Sequence, residues 1–190
     1  NTPTGYVYTR EEMEQIRDIV KKHDLYLFAD EVYREYIYTD EPYTSAMHLE
    51  GIENNVILVD SVSKRYSECG IRIGAIITKN TEVRKAVLKF CQARLSPPLM
   101  GQIIAEASLE APESYIEGVQ KEYVERRNCL VNGLNQIPGV FSPMPKGAFY
   151  VFPSIQKFGL SSDEFAERLL REERLAVVPG TAFGECGEGF

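Results

Sequence analysis

Val56-Ile57-Leu58-Val59-Asp60-Ser61-Val62-Ser63-Lys64-Arg65-Tyr66-Ser67-Glu68-Cys69-Gly70-Ile71-Arg72-Ile73-Gly74 begins as a continuous apolar run and turns abruptly polar. The run from Val56 to Val59 reads as a strand buried on both faces. Two serines and a lysine follow at once. A short polar stretch closed by Gly70 leads into a second β-like run, Ile71 to Thr78, which carries Arg72 among apolar neighbours. A lysine at the carboxyl end of a buried strand lies where open α/β sheets place their ligands. Arg72 comes eight residues after Lys64 on the returning segment. Together they could hold an anion and set an amine beside it. The plainer alternative is a solvated loop lysine and a structural ion-pair arginine.

Upstream, residues 1–8 form a loop punctuated by Pro3 and Gly5. Thr9 and Glu12 have the spacing of a capping box. Met13, Ile16, Ile19 and Val20 then recur at helical intervals, so 10–23 reads as an amphipathic helix ending at His23 and Asp24. Leu25 to Ala29 reads as a second buried strand. It ends at Asp30, a carboxylate that needs a cationic partner or several donors if it is buried, or a loop-capping residue if it is not. Tyr33 follows three residues on. Residues 34–55 are polar and turn-rich and read as a surface excursion. Helix, strand, connection and strand in this order give an α/β pattern.

Downstream, Asn80 or Thr81 caps a helix running to about Leu95, broken by Ser96-Pro97-Pro98. Leu99 to Leu109 reads as a packed helix. Glu113 to Ile137 carries a long charged amphipathic pattern, and the shift in composition places a domain boundary at about residue 112. β-like segments at Val140–Phe141, Ala148–Phe152 and Leu175–Val178, with a helix at about 163–173 capped by Ser161 or Ser162, suggest a small α+β unit.

The 190 residues carry a net charge of −7 and no basic cluster, which argues against nucleic acid as a partner. No apolar run approaches the ~20 residues that span a membrane. The four cysteines, Cys69, Cys91, Cys129 and Cys186, show no metal-ligand spacing, and only His23 and His48 could join them. No metal is expected, and free thiols suit a reducing cytoplasm.

The Pro3-Thr4-Gly5 loop, the strand ending in Asp30 with Tyr33, and Ser61-x-Ser63-Lys64 with Arg72 resemble, in order and spacing, the class I and II aminotransferases. These are the aspartate aminotransferase-like, fold-type I pyridoxal-phosphate enzymes. Lys146-Gly147-Ala148-Phe149-Tyr150, Val178-Pro179-Gly180 and Phe183-Gly184 extend the likeness over essentially the whole chain. The resemblance implies an α/β fold: part of a pyridoxal-phosphate-transferase large-domain sheet with flanking helices over 1–112, and an incomplete small α+β domain over 113–190. It implies an aminotransferase moving an amino group between an amino acid, aspartate-type, and a 2-oxo acid, as a cytoplasmic homodimer. Lys64 would form the Schiff base with pyridoxal 5'-phosphate and shuttle the substrate proton. Asp30 would pair with the pyridinium nitrogen, and Tyr33 would donate to the ring oxygen. Arg72, Ser61 and Ser63 would hold the phosphate. Gly147 and Phe149 would line the substrate side.

Two departures accompany the likeness. The family's usual asparagine before the loop proline is Thr2 here, with Asn1 one step earlier, so Thr2 substitutes weakly or Asn1 shifts in. Family members are also about twice this length. Their phosphate-cradling turn, ring-stacking aromatic and carboxylate-binding arginine have no counterpart here, so the chain is expected to be a C-terminal-half fragment, inactive alone. Other classes consistent with the same residues are a pyridoxal-phosphate lyase of this fold, cystathionine β-lyase-like or aminocyclopropane-carboxylate-synthase-like. A third is the non-catalytic aminotransferase-like domain of a transcription regulator.

Overall fold

Thr9 and Glu12 start the first helix as a reciprocal cap. Thr9 Oγ1 accepts from Glu12 N–H at 3.2 Å, and Glu12 Oε2 accepts from Thr9 N–H at 2.8 Å. The helix, α1, spans Arg10–His23 and ends on Asp24 in the left-handed conformation. The structure is a computed structural model and describes residues 2–40 and 42–190. Asn1, the alternative to Thr2 in the loop, lies outside the described residues.

A three-stranded sheet follows in the order β1-β2-β3. Strand β1, Leu27–Asp30, pairs parallel with β2, Val56–Ser61, with Leu27 opposite Val56 and Asp30 opposite Val59. Strand β3, Gly74–Ile77, returns antiparallel to β2, placing Gly74 opposite Ser61. A one-turn helix, α2 (Val62–Arg65), and a 3-10 turn at Cys69–Ile71 join β2 to β3. The carboxyl ends of β1 and β2 thus meet the start of β3.

Val20 of α1, Ala46, Leu49, Ile52 and Val56 form a buried cluster, with Met13, Ile16, Leu27, Ala29 and Met47 packed against it. Each fully buried Val or Ile contributes roughly 1.5–3 kcal/mol. Ile19 does not join the stripe and is exposed. The connection from 34 to 55 is no mere surface excursion. It supplies Tyr36, Ala46, Leu49 and Ile52 to the interior. Buried Glu31 holds it there, with Oε1 accepting from Ser45 Oγ at 3.0 Å and Ala46 N–H at 2.9 Å.

Strand β2 is buried as expected, but β1 is not buried on both faces. It lies at an edge of the sheet, and Phe28 remains 71% exposed. Helix α3 spans Thr81–Ala93 behind the Asn80 cap. Helix α4, Leu99–Ser108, is not the packed helix expected. Only Gly101 is buried, because α4 meets the chain at Ile71 and Ile73 and leaves Leu99, Met100 and Ile103 in solvent.

Helix α5 runs Glu113–Leu134. The chain divides into two compact units, one Val7–Gln120, the other the described residues up to Tyr6 together with Lys121–Phe190. In the second unit, Gly5 C=O accepts from Lys146 N–H at 3.0 Å and Gly147 N–H at 2.9 Å. Helix α6, Ser162–Arg168, starts at a second capping box, Ser161 with Glu164, and continues as a π-turn through Glu173. The expected strands of this unit are not formed among the described residues. A single bridge joins Phe141 to Ser154. Ala148 takes φ +56°, which breaks the extension, and Leu175–Val178 is exposed with no ladder.

Candidate functional site

Lys64 sits in α2, directly beyond the end of β2. Its Nζ lies 5.7 Å from the centroid of the Tyr33 ring, within reach of a cation–π contact. The Tyr36 hydroxyl donates to the Lys64 carbonyl at 2.6 Å, and the Tyr33 and Tyr36 rings meet edge to face at 6.2 Å. The turn carrying Lys64 is therefore fastened to the loop after β1.

Ser61 caps α2. Its Oγ accepts from Ser63 N–H at 3.0 Å, lies 2.8 Å from Ser63 Oγ, and donates to Ile73 C=O at 2.9 Å. The two serines anticipated as phosphate contacts are thus side by side and tied to the segment bearing Arg72. Arg72 itself is exposed, with φ +60°, and its Nη1 donates to Cys69 C=O at 2.7 Å. Two further bonds pin this turn. Ser108 Oγ of α4 donates to Glu68 at 2.6 Å, and the Tyr115 hydroxyl of α5 donates to Ser67 Oγ at 3.1 Å.

Asp30 ends β1, as expected, but it is exposed, and its Oδ1 accepts from Val32 N–H at 3.2 Å. The buried, cation-paired carboxylate is Asp60, one strand over. Strand β1 lies at the edge, whereas β2 is central and encloses its own carboxylate. Asp60 Oδ2 meets Arg65 Nη2 at 2.8 Å and Arg34 Nη2 at 3.0 Å. Glu35 Oε1 meets Arg65 Nε at 2.8 Å and Arg34 Nε at 3.2 Å. Burial opposes the charge on Arg65, but Glu35 and Asp60 outweigh it and raise the pKa of the guanidinium above its ordinary value. Nearby, burial and then the Glu31 carboxylate push the Tyr43 phenol up.

Asp60, Arg34, Glu35, Arg65 and Tyr36 were not legible as site residues. The signal available was a charged residue inside an otherwise apolar strand, five residues before an arginine.

Thr2, Gly147 and Phe149 belong to the other unit. Thr2 is exposed, Gly147 is buried, and Phe149 stacks between Tyr123, at 5.0 Å, and Tyr150, at 5.5 Å. The donors gathered in the Val7–Gln120 unit are a primary amine over a phenol ring and paired hydroxyls beside an arginine-bearing turn, with an exposed carboxylate at the end of the neighbouring strand. They fit a phosphorylated pyridine aldehyde in kind.

The whole chain, residues 1–190, matches the family described as aminotransferase class I and II. The YugH protein of Bacillus subtilis (strain 168) is 41% identical over 191 residues, covering 100% of this chain and 49% of that protein. An aspartate aminotransferase of Pyrococcus abyssi (strain GE5 / Orsay) is 37% identical over 190 residues, covering 99% of this chain and 49% of the other. The chain thus spans about half the length of the curated relatives it matches. The crystal structure of an aromatic aminotransferase from Pyrococcus horikoshii OT3 superposes with a TM-score of 0.91 at 38% identity, over 99% of this chain and 51% of that one. Cystalysin from Treponema denticola, whose structure contains a pyridoxal 5'-phosphate cofactor, shares the fold, with a TM-score of 0.91 at 22% identity over 99% of this chain and 49% of that one.

Proposed function

Because the chain belongs to the aminotransferase class I and II family, we propose that the whole protein is a pyridoxal-phosphate-dependent aminotransferase moving an amino group between an aspartate-type amino acid and a 2-oxo acid. The observation that carries this reading is Lys64, set on a one-turn helix beyond a buried strand with its amine over Tyr33. When bound, pyridoxal 5'-phosphate supplies an electron sink that acidifies the substrate α-carbon. Lys64 Nζ would hold the cofactor at its aldehyde carbon when no substrate is present, and would then carry the proton between the substrate α-carbon and that carbonyl carbon. The Asp30 carboxylate keeps the ring nitrogen protonated. Tyr33 donates its phenolic proton toward the ring oxygen. Ser61, Ser63 and Arg72 hold the phosphate, a divalent anion for which a guanidinium offers paired donors. Thr2 is a further cofactor contact, and Gly147 and Phe149 are on the substrate side.

The division into a cofactor domain over 1–112 and a small domain over 113–190 belongs to the same proposal, supported by the Ala111-Pro112 break before α5. So do a homodimer and a cytoplasmic setting, the latter supported by four free cysteines. Among the described residues no helix is long and apolar enough to cross a membrane. Borohydride reduction of the cofactor-loaded whole protein, followed by peptide mapping, is expected to fix the cofactor on Lys64. Label on a different lysine, or on none, sinks the assignment.

A further inference from the structure

The side chains next to the two candidate catalytic residues converge on one point. Arg65 follows Lys64, and Arg34 follows Tyr33. Both guanidinium groups reach the same oxygen, Asp60 Oδ2, and both meet the same oxygen of Glu35, all within 3.2 Å. Asp60 Oδ1 also accepts from Ser61 N–H at 2.8 Å, where α2 begins. The Tyr36 hydroxyl holds the Lys64 carbonyl, and Gln120 of α5 donates to the Glu35 carbonyl. Two positive and two negative charges alternate around the cluster, and the side chains of Arg65 and Asp60 are only 15% and 11% exposed. Such a cluster keeps its geometry at ionic strengths that dissolve surface pairs.

We infer that Asp60, Glu35, Arg34 and Arg65, with Tyr36, are positioning residues that hold the Lys64 turn and the Tyr33 loop in register with each other. The inference rests on the reading of Lys64 as the cofactor-bearing amine. Lysine carries its charge on a flexible four-carbon stem. A base on such a stem is only as well placed as the backbone beneath it, and a proton-transferring group must stand within hydrogen-bond reach of its target. Here the backbone is fixed before Lys64 at Ser61 N–H by Asp60, at the Lys64 carbonyl by Tyr36, and one residue on by Arg65. The same carboxylate fixes the residue after Tyr33, so the amine and the phenol share one anchor.

The test compares the whole, cofactor-loaded protein with its Arg65→Met, Arg65→Lys and Tyr36→Phe variants. The readouts are kcat, KM for the amino donor, visible circular dichroism of the bound cofactor, and borohydride label on Lys64. Arg65→Met is expected to lower kcat about tenfold to a hundredfold, the scale of a misplaced reacting group. KM should stay within about threefold, the signature of an interaction that matters in the transition state. The cofactor's circular dichroism should weaken while Lys64 still takes the label. Arg65→Lys should recover part of both losses. Tyr36→Phe removes one oxygen and keeps the ring, and should show a smaller loss of kcat in the same direction. It carries the test alone if Arg65→Met does not fold. Label at Lys64 with unchanged kcat and dichroism in the folded variants overturns the positioning role. So does a raised KM with kcat intact. No label at Lys64 in the unmodified protein overturns the functional reading itself.

Discussion

Asp30 and Asp60 show how two carboxylates at the ends of neighbouring strands divide their work. Asp60 is buried between two arginines, and Asp30 stands in solvent beside Val32. Removing one partner of a buried ion pair leaves an uncompensated charge and typically costs about 3–5 kcal/mol. Asp60→Asn in the whole protein is therefore expected to lose on the order of 3 kcal/mol of stability, read as a lower denaturation midpoint. Asp30→Asn should change stability by no more than about 0.5 kcal/mol, as exposed substitutions do. On activity the order reverses in kind. Asp30→Asn should retain cofactor but raise the barrier to proton abstraction by roughly 3 kcal/mol, about a hundredfold in rate. Near-normal turnover in that variant would show that Asp30 does not hold the ring nitrogen. Gly5 offers a third case. It adopts φ +66°, and a Cβ there would press on Pro145 and stand 2.9 Å from Gly147 C=O. Gly5→Ala should cost on the order of 1–3 kcal/mol, since strain and a backbone clash act together. A melting curve matching that of the parent would refute it.

Helices with local determinants were legible in the sequence, as were strands β1, β2 and β3, whereas the expected strands of the second unit were not. Helices α1, α3, α5 and α6 all appear within a few residues of their expected limits, because caps and apolar spacing act over one or two turns. Val140–Phe141, Ala148–Phe152 and Leu175–Val178 have strand-like composition, but a strand exists only against another, and among the described residues none of the three forms a ladder. The same division holds in the site. Lys64, Ser61 and Ser63 follow from a strand end and its cap, whereas one of Asp60's two arginine partners, Arg34, comes from a loop that reads as mere excursion. The α6 cap also has a pH signature. Hydrogen bonds from Ser161 lower the Glu164 pKa below its ordinary value of 4.5 in the folded chain. A lowered folded pKa means that the unfolded chain binds the proton more tightly. The cap's contribution is thus present above pH 4.5 and is lost as pH falls through the folded value. Amide hydrogen exchange in the first turn of α6, corrected for intrinsic rates, should quicken as pH falls below that range. Glu164→Gln, which removes the titrating carboxylate, should flatten that dependence, and an unchanged profile in the variant would remove Glu164 from the account.

At the largest scale, the Val7–Gln120 unit leaves many of its large apolar side chains in solvent. Every residue of β3 is exposed, and Phe90, Leu95, Leu99 and Met100 on and between α3 and α4 are each at least two-thirds exposed. Monomeric soluble proteins rarely show contiguous apolar patches beyond a few hundred Å². Strand β1 adds an open edge, whose unpaired backbone groups template further pairing. At micromolar concentration the 190-residue chain in isolation is therefore expected to self-associate. Sedimentation velocity is the measurement, with Phe90→Glu/Leu99→Glu as the variant that should shift the distribution toward monomer. The same openness bears on ligand binding. Asp30 and Arg72 are both exposed, so water competes for the two charges proposed to grip opposite ends of the cofactor. Titration of the isolated chain with pyridoxal 5'-phosphate should then give weak, unsaturated binding in the visible spectrum, with no oxo acid formed from added amino acids. A monodisperse monomer would refute the surface argument. Stoichiometric, tight binding would refute the argument from the two exposed charges, and the two outcomes are independent of each other.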